Sequence, residues 1–373
     1  MQESSEPGLA ARFARQVILP GFGIEAQDRL KRARVLVIGA GGLGSTAIPA
    51  LAAAGVGTIG IIDDDTVELS NLHRQLIHGV ADVGRSKARS AAEFVAGIAP
   101  NTHVIALETR LRSDNALGIF ADYDLVLDGS DNFPTRYLAN DAAVVTGIPL
   151  VWGAVSQYGG QAGVAWAKRG PHYRDLFPAP PPPGSVLSCA DGGVLPTVCS
   201  TIGSIMATEA IKILTGIGTP LLGRVTTVDA LNGGFRELSY ERDPEAAPIE
   251  TLIDYEVFCG TAPTATQAAD DVTVEELATE LAAGVPLTLL DVREPWEANI
   301  ASLPGSVVVP LDALERDIAG LDPESPIVVY CHLGIRSARA LELLKSRGFT
   351  DARHLQGGID AWSRLIDPTV ARY

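Results

Sequence analysis

Residues 34–44 read RVLVIGAGGLG, in which a run of branched apolar residues passes directly into a glycine cluster. The run Arg34–Ile38 predicts a short buried strand, and the apolar residues of Ser45–Ala54 predict a helix directly after the glycines. Such glycines let the backbone turn tightly and approach a phosphate, while the helix start supplies unpaired N–H groups. The stretch therefore predicts a strand–loop–helix unit that binds a nucleotide. The pattern G-x-G-x-x-G is satisfied by Gly39, Gly41 and Gly44.

The residues that follow alternate between strand and helix patterns. Continuous apolar strands that alternate with helices are typical of a parallel sheet covered on both faces. We therefore expect an α/β fold whose first part is a doubly wound, Rossmann-like nucleotide-binding domain. Further strands are predicted at Thr58–Asp63, Val104–Glu108 and Leu125–Asp128, and further helices at Ser86–Ile98 and Thr135–Val145.

A linker divides the chain. Gly260–Asp271 reads GTAPTATQAADD and lacks apolar periodicity. Before it, an apolar helix is predicted over Ser200–Thr215, and antiparallel edge strands at Arg224–Val228 and Phe235–Tyr240. After it, alternating strands and helices predict a smaller α/β domain of ordinary size. The predicted domains are therefore residues 1–259 and 272–373, joined by the linker 260–271.

Composition narrows the classes of function. The chain has 29 Lys and Arg against 45 Asp and Glu, a formal net charge of −16, which argues against partners that are nucleic acids or anionic membranes. The start of the chain does not resemble a signal peptide, and the most apolar window, Ile48–Ile62, is too short to span a bilayer. The four cysteines are too scattered to form a disulfide framework, which indicates a reducing compartment. We expect a soluble, cytoplasmic protein.

Three polar clusters indicate which nucleotide chemistry the loop serves. They are the segment Ser70–Gln75, the helix start at Lys87, and Asp128–Asn132 at the carboxyl end of a strand. Together they offer cations to phosphate oxygens and carboxylates to Mg²⁺. Nucleotidyl transfer needs such groups because negative charge concentrates on the phosphorus oxygens. A nicotinamide-dependent oxidoreductase on the same loop would leave these clusters unexplained.

Five motifs resemble those of the ubiquitin-activating-type adenylyltransferases of the MoeB/ThiF family, and the resemblance covers about Arg12–Gly260. In chain order they are RFARQ, GAGGLG, SNLHRQ, GRSKA and DGSDN. The resemblance implies a homodimer that uses ATP and Mg²⁺. It also implies the reaction. The enzyme adenylates the C-terminal glycine carboxylate of a small ubiquitin-fold sulfur-carrier protein that ends in Gly-Gly.

The resemblance also implies roles for individual residues. The nucleotide loop comprises Gly39, Gly41, Gly42 and Gly44. Asp63 corresponds to the ribose ligand, and Asp65 and Asn132 belong to the same site. The phosphate-contacting positions are Asn71, Arg74 and Lys87. Asp131 corresponds to the magnesium aspartate, and Arg15 to an arginine supplied by the partner subunit. Alternatively, Arg74, Lys87 and Arg15 are ordinary surface cations, and Asp131 caps the helix that follows it.

The chain departs from the family at a metal site. Many members carry two C-x-x-C pairs that hold a structural zinc. Here the first pair reads His172-Tyr173-Arg174-Asp175, and Cys259 alone remains of the second. We expect no zinc site, and another contact must then hold the Tyr173–Cys199 segment in place.

Two further cysteines differ in their surroundings. Cys189, within SCADGGV, resembles the family's cysteine on a mobile crossover loop, where it could attack an acyl adenylate or resolve an acyl disulfide. A packed cysteine without a chemical role is the alternative. Cys199 stands before an apolar helix and is expected in the core.

The second domain resembles the rhodanese family over Val272–Trp362. Its loop CHLGIRS starts at Cys331 and runs into a helix, so that N–H groups converge on the sulfur and stabilise a thiolate or persulfide. Arg336 adds charge or braces the loop. The motifs LDVRE and HLQGGIDAW match the family as well, whereas a His common before its Pro-Gly turn is absent at Ser302-Leu303-Pro304-Gly305.

The two domains together resemble bifunctional adenylyltransferase–sulfurtransferases. In that interpretation, Cys331 takes sulfur from a persulfide or thiosulfate donor and passes it to the adenylated carrier, which becomes a thiocarboxylate. The catalytic residues would be Cys331, Cys189, Arg15, Arg74, Asp131 and Arg336. An enzyme that only adenylates, and a carrier-binding scaffold without activity, stay open as alternatives.

Overall fold

The structure is a computed structural model, and it describes residues 7–182, 186, 192–260 and 270–373. The chain forms two compact units, residues 1–261 and 262–373. Cys189 and most of the predicted linker lie outside the described residues.

The first unit is built on a mixed sheet of eight strands in the order β3-β2-β1-β4-β5-β6-β7-β8. The strands β1–β5 pair in parallel, and β6, β7 and β8 continue the sheet antiparallel. The strands are β1 Arg34–Ile38, β2 Thr58–Ile62, β3 His103–Leu107, β4 Leu125–Asp128, β5 Leu150–Ser156, β6 Gly159–Ala165, β7 Arg224–Asp229 and β8 Gly234–Ser239. The helices are α1 Pro7–Val17, α2 Gly23–Arg32, α3 Gly44–Ala54, α4 Lys87–Ile98, α5 Ala116–Phe120, α6 Phe133–Thr146, α7 Tyr173–Leu176, α8 Pro196–Thr215 and α9 Tyr255–Phe258.

The predicted α/β fold is confirmed, with element ends shifted by a few residues. The direction of winding reverses between β1 and β4, where Ile38 pairs with both Ile62 and Asp128. Open parallel sheets bind ligands at the carboxyl ends of the strands beside such a reversal. The segments that follow β1, β2 and β4 therefore meet at one place.

Helix α8 begins four residues earlier than its apolar pattern indicates, because Pro196 suits the first turn of a helix. Among the described residues it is the one helix long and apolar enough to cross a membrane. Its residues Val198, Ile202 and Met206 are instead buried in the hydrophobic core on one face of the sheet. The helix is apolar because it packs between the sheet and other helices.

The second unit has a five-stranded parallel sheet in the order β11-β10-β12-β13-β9. Hydrophobic cores cover both of its faces, which agrees with the continuous apolar strands. Its strands are β9 Asp271–Val272, β10 Thr288–Asp291, β11 Val307–Val308, β12 Ile327–Tyr330 and β13 Ala352–Leu355. Its helices are α10 Val274–Ala282, α11 Pro295–Ile300, α12 Leu311–Asp317, α13 Ile335–Ser346 and α14 Gly358–Leu365.

An ion pair joins the elements at which the family's zinc would be expected. Arg174 in α7 donates from Nε and Nη2 to both carboxylate oxygens of Asp141 in α6, at 2.9 and 2.5 Å. The hydroxyl of Tyr255 in α9 donates to the same carboxylate at 2.7 Å. The guanidinium also lies 4.5 Å from the ring centre of Phe258. This cluster holds the start of the Tyr173–Cys199 segment.

The residues at the zinc positions do not fit a zinc ion. Within the described residues, His172, Asp175 and Cys259 do not converge into a group of metal ligands. The Asp175 carboxylate accepts hydrogen bonds from the backbone N–H groups of His172 and Asp243. Burial raises the pKa of the Cys259 thiol to about 11, which disfavours the thiolate that zinc requires.

Removing the cation of this cluster tests its contribution. Because Asp141 would stay buried without its partner, Arg174→Met should lower the free energy of unfolding by about 3–5 kcal/mol. Thermal unfolding followed by circular dichroism measures the loss. The matched control is Arg169→Met, which removes an exposed arginine stacked on Trp166 and should change stability by less than about 1 kcal/mol. Equal effects of the two substitutions would contradict the role of the cluster.

Candidate functional sites

The loop after β1 is held by close backbone contacts. Gly39 adopts φ +86°, and a Cβ there would lie 3.1 Å from the carbonyl oxygen of Gly129. A Cβ on Gly44 would overlap the carbonyl oxygen of Gly39. Among the described residues, no acceptor binds the N–H groups of Gly41 and Gly42. The loop thus presents two open donors beside the start of α3, as an anion site requires.

Asp63, which directly follows β2, holds this loop. Its Oδ2 accepts the N–H of Ala40 at 2.8 Å, and its Oδ1 accepts the N–H of Asp65 at 2.9 Å. Burial raises the pKa of Asp63, and the charge of Lys87 partly offsets that rise. Each carboxylate oxygen keeps a second lone pair, so that the group can also accept a hydroxyl of a ribose.

Lys87 is not the solvated surface cation of the alternative interpretation. Its side chain is 9% exposed, and Nζ lies 2.8 Å from Oδ2 of Asp65, whose side chain is 69% exposed. The backbone N–H of Lys87 donates to the carbonyl oxygen of Asp65 at 3.0 Å. Asp65 therefore anchors the start of α4 and pairs with a cation that is otherwise buried.

The Ser70–Gln75 segment lies against the glycine loop. A Cβ on Gly42 would lie 3.7 Å from Cγ of Arg74 and 2.9 Å from Sγ of Cys199. The half-buried Arg74 donates to the carbonyl oxygen of Ser70, at 3.2 Å, and its Nη1 lies 2.8 Å from Nε2 of His73. The buried Asn71 accepts the N–H of Glu68 through Oδ1 at 3.2 Å. Cys199 is buried, as predicted.

The loop after β4 presents a free carboxylate. The fully buried Asp128 accepts from the N–H and hydroxyl of Ser130 and from Nε of the buried Arg136. The proposed alternative role of Asp131 as a helix cap is wrong, because Asn132 caps α6 by accepting the N–H of Thr135 at 2.9 Å. Asp131 is exposed, and no described group binds its carboxylate.

Arg15 lies on the exposed side of α1 and has no partner among the described residues. Its neighbours Arg12 and Gln16 are both engaged, with the carbonyl oxygens of Ile98 and Ala54 respectively. Arg15 is thus available to another molecule, and its assignment to the partner subunit's site stays a prediction.

In the second unit, the loop after β12 is wrapped around Cys331. The N–H of Gly334 donates to Sγ at 3.1 Å, and the hydroxyl of Ser337 lies 3.6 Å from Sγ. Gly334 adopts φ +102°, which favours glycine and lets the chain fold back over the sulfur before α13 begins. Donors therefore converge on the sulfur, as the sequence predicts.

Arg336 braces the Cys331 loop. Its two terminal nitrogens donate to the two oxygens of Glu297 at 2.6 and 2.7 Å, and both side chains are largely buried. Burial by itself would raise the pKa of Glu297, but Arg336 and the N–H of Glu294 bring that pKa below its usual value. Among the two roles expected of Arg336, the structure shows the bracing one.

Tyr373 connects the Arg336–Glu297 pair to a second ion pair, Arg293–Asp291. The hydroxyl of Tyr373 donates to Glu297 at 3.0 Å and accepts from Arg293 at 2.6 Å. Arg293 and Asp291 form a fully buried pair at the end of β10. The ring of Tyr373 also stacks on His332 with 4.4 Å between centroids. The sequence did not reveal Glu297 and Tyr373, because only the fold brings them next to the Cys331 loop and neither belongs to a local motif.

The HLQGGIDAW motif supports the Cys331 loop from the other side. A Cβ on Gly358 would overlap the carbonyl oxygens of Cys331 and His332. The N–H of Ile359 donates to the carbonyl oxygen of Cys331 at 2.9 Å. Glycine is required here because two backbone segments touch.

Comparisons with known proteins identify the family of each unit. The model of the ThiF family matches residues 13–248, and that of the rhodanese-like domain matches residues 273–365. A probable adenylyltransferase/sulfurtransferase, MoeZ, of Mycobacterium tuberculosis is 50% identical and covers 97% of this chain and 95% of its own. An adenylyltransferase and sulfurtransferase of Drosophila yakuba is 41% identical and covers 97% and 85%.

Two further similarities each cover about two thirds of the chain. A sulfur carrier protein adenylyltransferase of Thermus thermophilus is 50% identical and covers 67% of this chain and 96% of its own. Crystal structures of Escherichia coli MccB share the fold, with a TM-score of 0.59 at 20% identity over 65% of this chain and 75% of that one.

The open donors after β1, the free carboxylate after β4 and the enclosed thiol after β12 thus occur within matched sequences that span nearly the whole chain. The chain belongs to the ThiF family, carries a C-terminal rhodanese-like domain, and is an adenylyltransferase and sulfurtransferase.

Proposed function

We propose that the protein adenylates the C-terminal glycine carboxylate of a small ubiquitin-fold sulfur carrier and then converts it to a thiocarboxylate. The observation that carries the proposal is that one chain combines a loop with open N–H donors and a thiol enclosed by donors. The printed name of the Thermus thermophilus relative supports the choice of a sulfur carrier as substrate.

In the adenylation step, the carrier's carboxylate oxygen attacks the α-phosphorus of ATP, and pyrophosphate leaves. The N–H groups of Gly41 and Gly42 donate hydrogen bonds to phosphate oxygens, and the Asp63 carboxylate accepts a hydrogen bond from a ribose hydroxyl. Arg74 lies against this glycine loop, and Lys87 pairs with Asp65, two residues after Asp63. Together with Asn71 they neutralise or bind the developing charge.

Asp131 would hold Mg²⁺ in this site. Its carboxylate is exposed and unpartnered among the described residues, and it lies on the loop that contacts Gly39. Carboxylate oxygens are hard ligands of the kind that Mg²⁺ prefers, and the bound ion would neutralise phosphate charge. The amide of Asn132 is partly committed to capping α6. Arg15 would reach the triphosphate of a partner subunit, in a homodimer.

In the sulfur-transfer step, a donor first leaves a persulfide on Cys331. The terminal persulfide sulfur attacks the acyl carbonyl and displaces AMP, which forms an acyl disulfide. A thiol then attacks the Cys331 sulfur and releases the thiocarboxylate, and a dithiol reductant restores the resulting disulfide to two thiols. We assign the resolving thiol to Cys189. The sulfur donor is a persulfide or thiosulfate, and the compartment is the reducing cytoplasm.

Intact-mass spectrometry of a carrier that ends in Gly-Gly tests both steps together. The carrier is incubated with the protein, ATP, Mg²⁺, thiosulfate and a dithiol reductant. We expect one carboxylate oxygen to be exchanged for sulfur, and this exchange to be lost in Cys331→Ala and in Asp131→Ala. Cys331→Ala should still release pyrophosphate, whereas Asp131→Ala should not. Pyrophosphate release without sulfur exchange in the wild type would leave an enzyme that only adenylates.

The Arg336–Glu297 pair predicts a separable defect. Glu297→Gln leaves a largely buried guanidinium without its counter-charge, which should destabilise the second unit by about 3 kcal/mol and slow sulfur transfer. Adenylation, followed as pyrophosphate release, should be unchanged. Because the pKa of Glu297 is lowered in the folded protein, its stabilising contribution is complete above the ordinary Glu pKa and is lost as the pH falls from there through the lowered pKa.

The matched control for this substitution is Glu315→Gln, which removes the partner of Arg347 on the exposed surface. Such a pair is worth about 0–1 kcal/mol, so the control should transfer sulfur at the wild-type rate. Normal sulfur transfer in Glu297→Gln would show that the pair does not support the loop.

The role of Cys189 has its own test. In Cys189→Ala the acyl disulfide on Cys331 should accumulate as a covalent complex of protein and carrier, visible by mass under non-reducing conditions. The yield of thiocarboxylate should fall when only a weak external thiol is present. Cys199→Ala is the control, because Cys199 is buried in α8. A full thiocarboxylate yield from Cys189→Ala would rule out the covalent role.

A further inference from the structure

His78 links the glycine loop to helix α4, although no motif assigned it a role. The residue is buried, three positions after the Ser70–Gln75 segment. Its Nε2 lies 3.0 Å from the carbonyl oxygen of Ala40, within the glycine loop. Its Nδ1 lies 2.8 Å from the hydroxyl of Ser90, one turn after Lys87 in α4.

The partners of His78 decide which nitrogen carries the proton. A carbonyl oxygen can only accept, so Nε2 must be the donor to Ala40. Burial lowers the pKa of His78, which favours the neutral ring. The Nδ1 of that neutral ring has no proton and lies 2.8 Å from the hydroxyl of Ser90, which also interacts with the carboxylate of Asp82. The imidazole therefore has one defined tautomer and one defined orientation.

The hydrogen bond between His78 and the Ala40 carbonyl also orients the N–H of Gly41, which points in the opposite direction. The C=O of Ala40 and the N–H of Gly41 belong to one planar trans peptide, in which the two groups point in opposite directions. His78 holds the C=O, and Asp63 holds the N–H of Ala40 at 2.8 Å. The N–H of Gly41 is then directed away from His78, and no described group accepts it.

We propose that His78 is a positioning residue for nucleotide binding, which turns the Ala40–Gly41 peptide so that the Gly41 N–H meets a phosphate oxygen of ATP. Without this bond, the peptide between Ala40 and a glycine is free to rotate, and the donor is lost from the site for part of the time. Ser90 fixes the ring from the helix that also carries Lys87, so loop and cation keep one relative position. The inference rests on the proposed binding of ATP by this loop.

Two substitutions separate the two hydrogen bonds of the ring. In His78→Gln, the side-chain amide nitrogen occupies the position of Nε2 and keeps a donor for Ala40. In His78→Asn, the shorter amide occupies the position of Nδ1 and reaches Ser90 but not Ala40. If His78 acts through Ala40, His78→Gln should keep ATP binding and His78→Asn should weaken it. The two substituted side chains are both amides, so polarity does not explain such a difference.

The measurement is carrier-dependent exchange between ATP and pyrophosphate, with KM determined separately for ATP and for the carrier. We expect His78→Asn to raise the KM for ATP roughly tenfold, as the loss of one hydrogen bond to the phosphate allows. The KM for the carrier should stay within about twofold, because the inference gives the Gly41 N–H a phosphate oxygen of ATP as its partner and no group of the carrier. His78→Gln should stay within about threefold of the wild-type KM for ATP. Ser90→Ala removes one support of the ring but keeps the bond to Ala40, so it should raise this KM less than His78→Asn does.

Equal KM values for ATP in His78→Asn and the wild type would overturn the inference. So would equal losses in the Asn and Gln variants, or a parallel rise in both KM values, because these outcomes indicate general distortion. Asp131→Ala tests the assumption beneath it: if that variant exchanges pyrophosphate normally, the assigned nucleotide site itself is wrong. If Asp131→Ala is inactive and His78→Asn is normal, only the role of His78 fails.

A measurement on the wild type covers the case in which His78→Asn does not fold. Nitrogen chemical shifts of ¹⁵N-labelled histidine report which ring nitrogen carries the proton. We expect His78 to be the Nε2–H tautomer, with a resonance that shifts when a non-hydrolysable ATP analogue and Mg²⁺ are added. A proton on Nδ1 alone would exclude the bond to Ala40 and overturn the inference.

Discussion

The close approach of backbone segments after β1 and β4 is the constraint on which the nucleotide site depends. Gly39, Gly44 and Gly129 lie so near to one another that side chains would collide with carbonyl oxygens. That proximity follows from the parallel register, in which Ile38 pairs with Asp128. It places the exposed carboxylate of Asp131, the N–H groups of Gly41 and Gly42, and the start of α3 at one edge of the sheet. The second unit has the same close approach at Gly358, next to the carbonyl oxygens of Cys331 and His332, while Gly334 turns the chain around Cys331 through its positive φ.

Ion pairs in both units fix the side chains of the two sites, and the charges within each pair cancel. Asp65 balances Lys87, Asp128 balances Arg136, and Glu297 balances Arg336. A buried charge is costly without a partner, so each pair restrains its cation to one geometry. The pairs differ in the solvent exposure of their carboxylates. The Asp65 side chain is exposed to solvent, whereas Glu297 is buried and binds Arg336 through both of its oxygens, so that Arg336 supports the loop.

In the first unit, side-chain contacts join the segments at which the family resemblance places a zinc ion. Where the family's zinc would join two segments, the Arg174 guanidinium, the Asp141 carboxylate and the Tyr255 hydroxyl form one hydrogen-bonded cluster against aromatic rings. The missing cysteines are visible in the sequence. The cluster is not visible there, because Asp141 lies within a helix pattern and Tyr255 lies far along the chain. Only the packing of α6, α7 and α9 brings the three side chains together.

The sequence by itself determined the α/β class, the strand–loop–helix units around Gly39 and Cys331, and the residue types at both sites. It could do so because those properties depend on periodicity and on glycines at short spacing, which are local. The tertiary structure alone decided that Lys87 is buried on Asp65, that Asn132 and not Asp131 caps α6, and that Arg336 braces a loop. It alone brought His78 to Ala40 and Tyr373 to Glu297. These contacts join residues up to 76 positions apart, and their formation depends on burial and strand order, which no local pattern specifies.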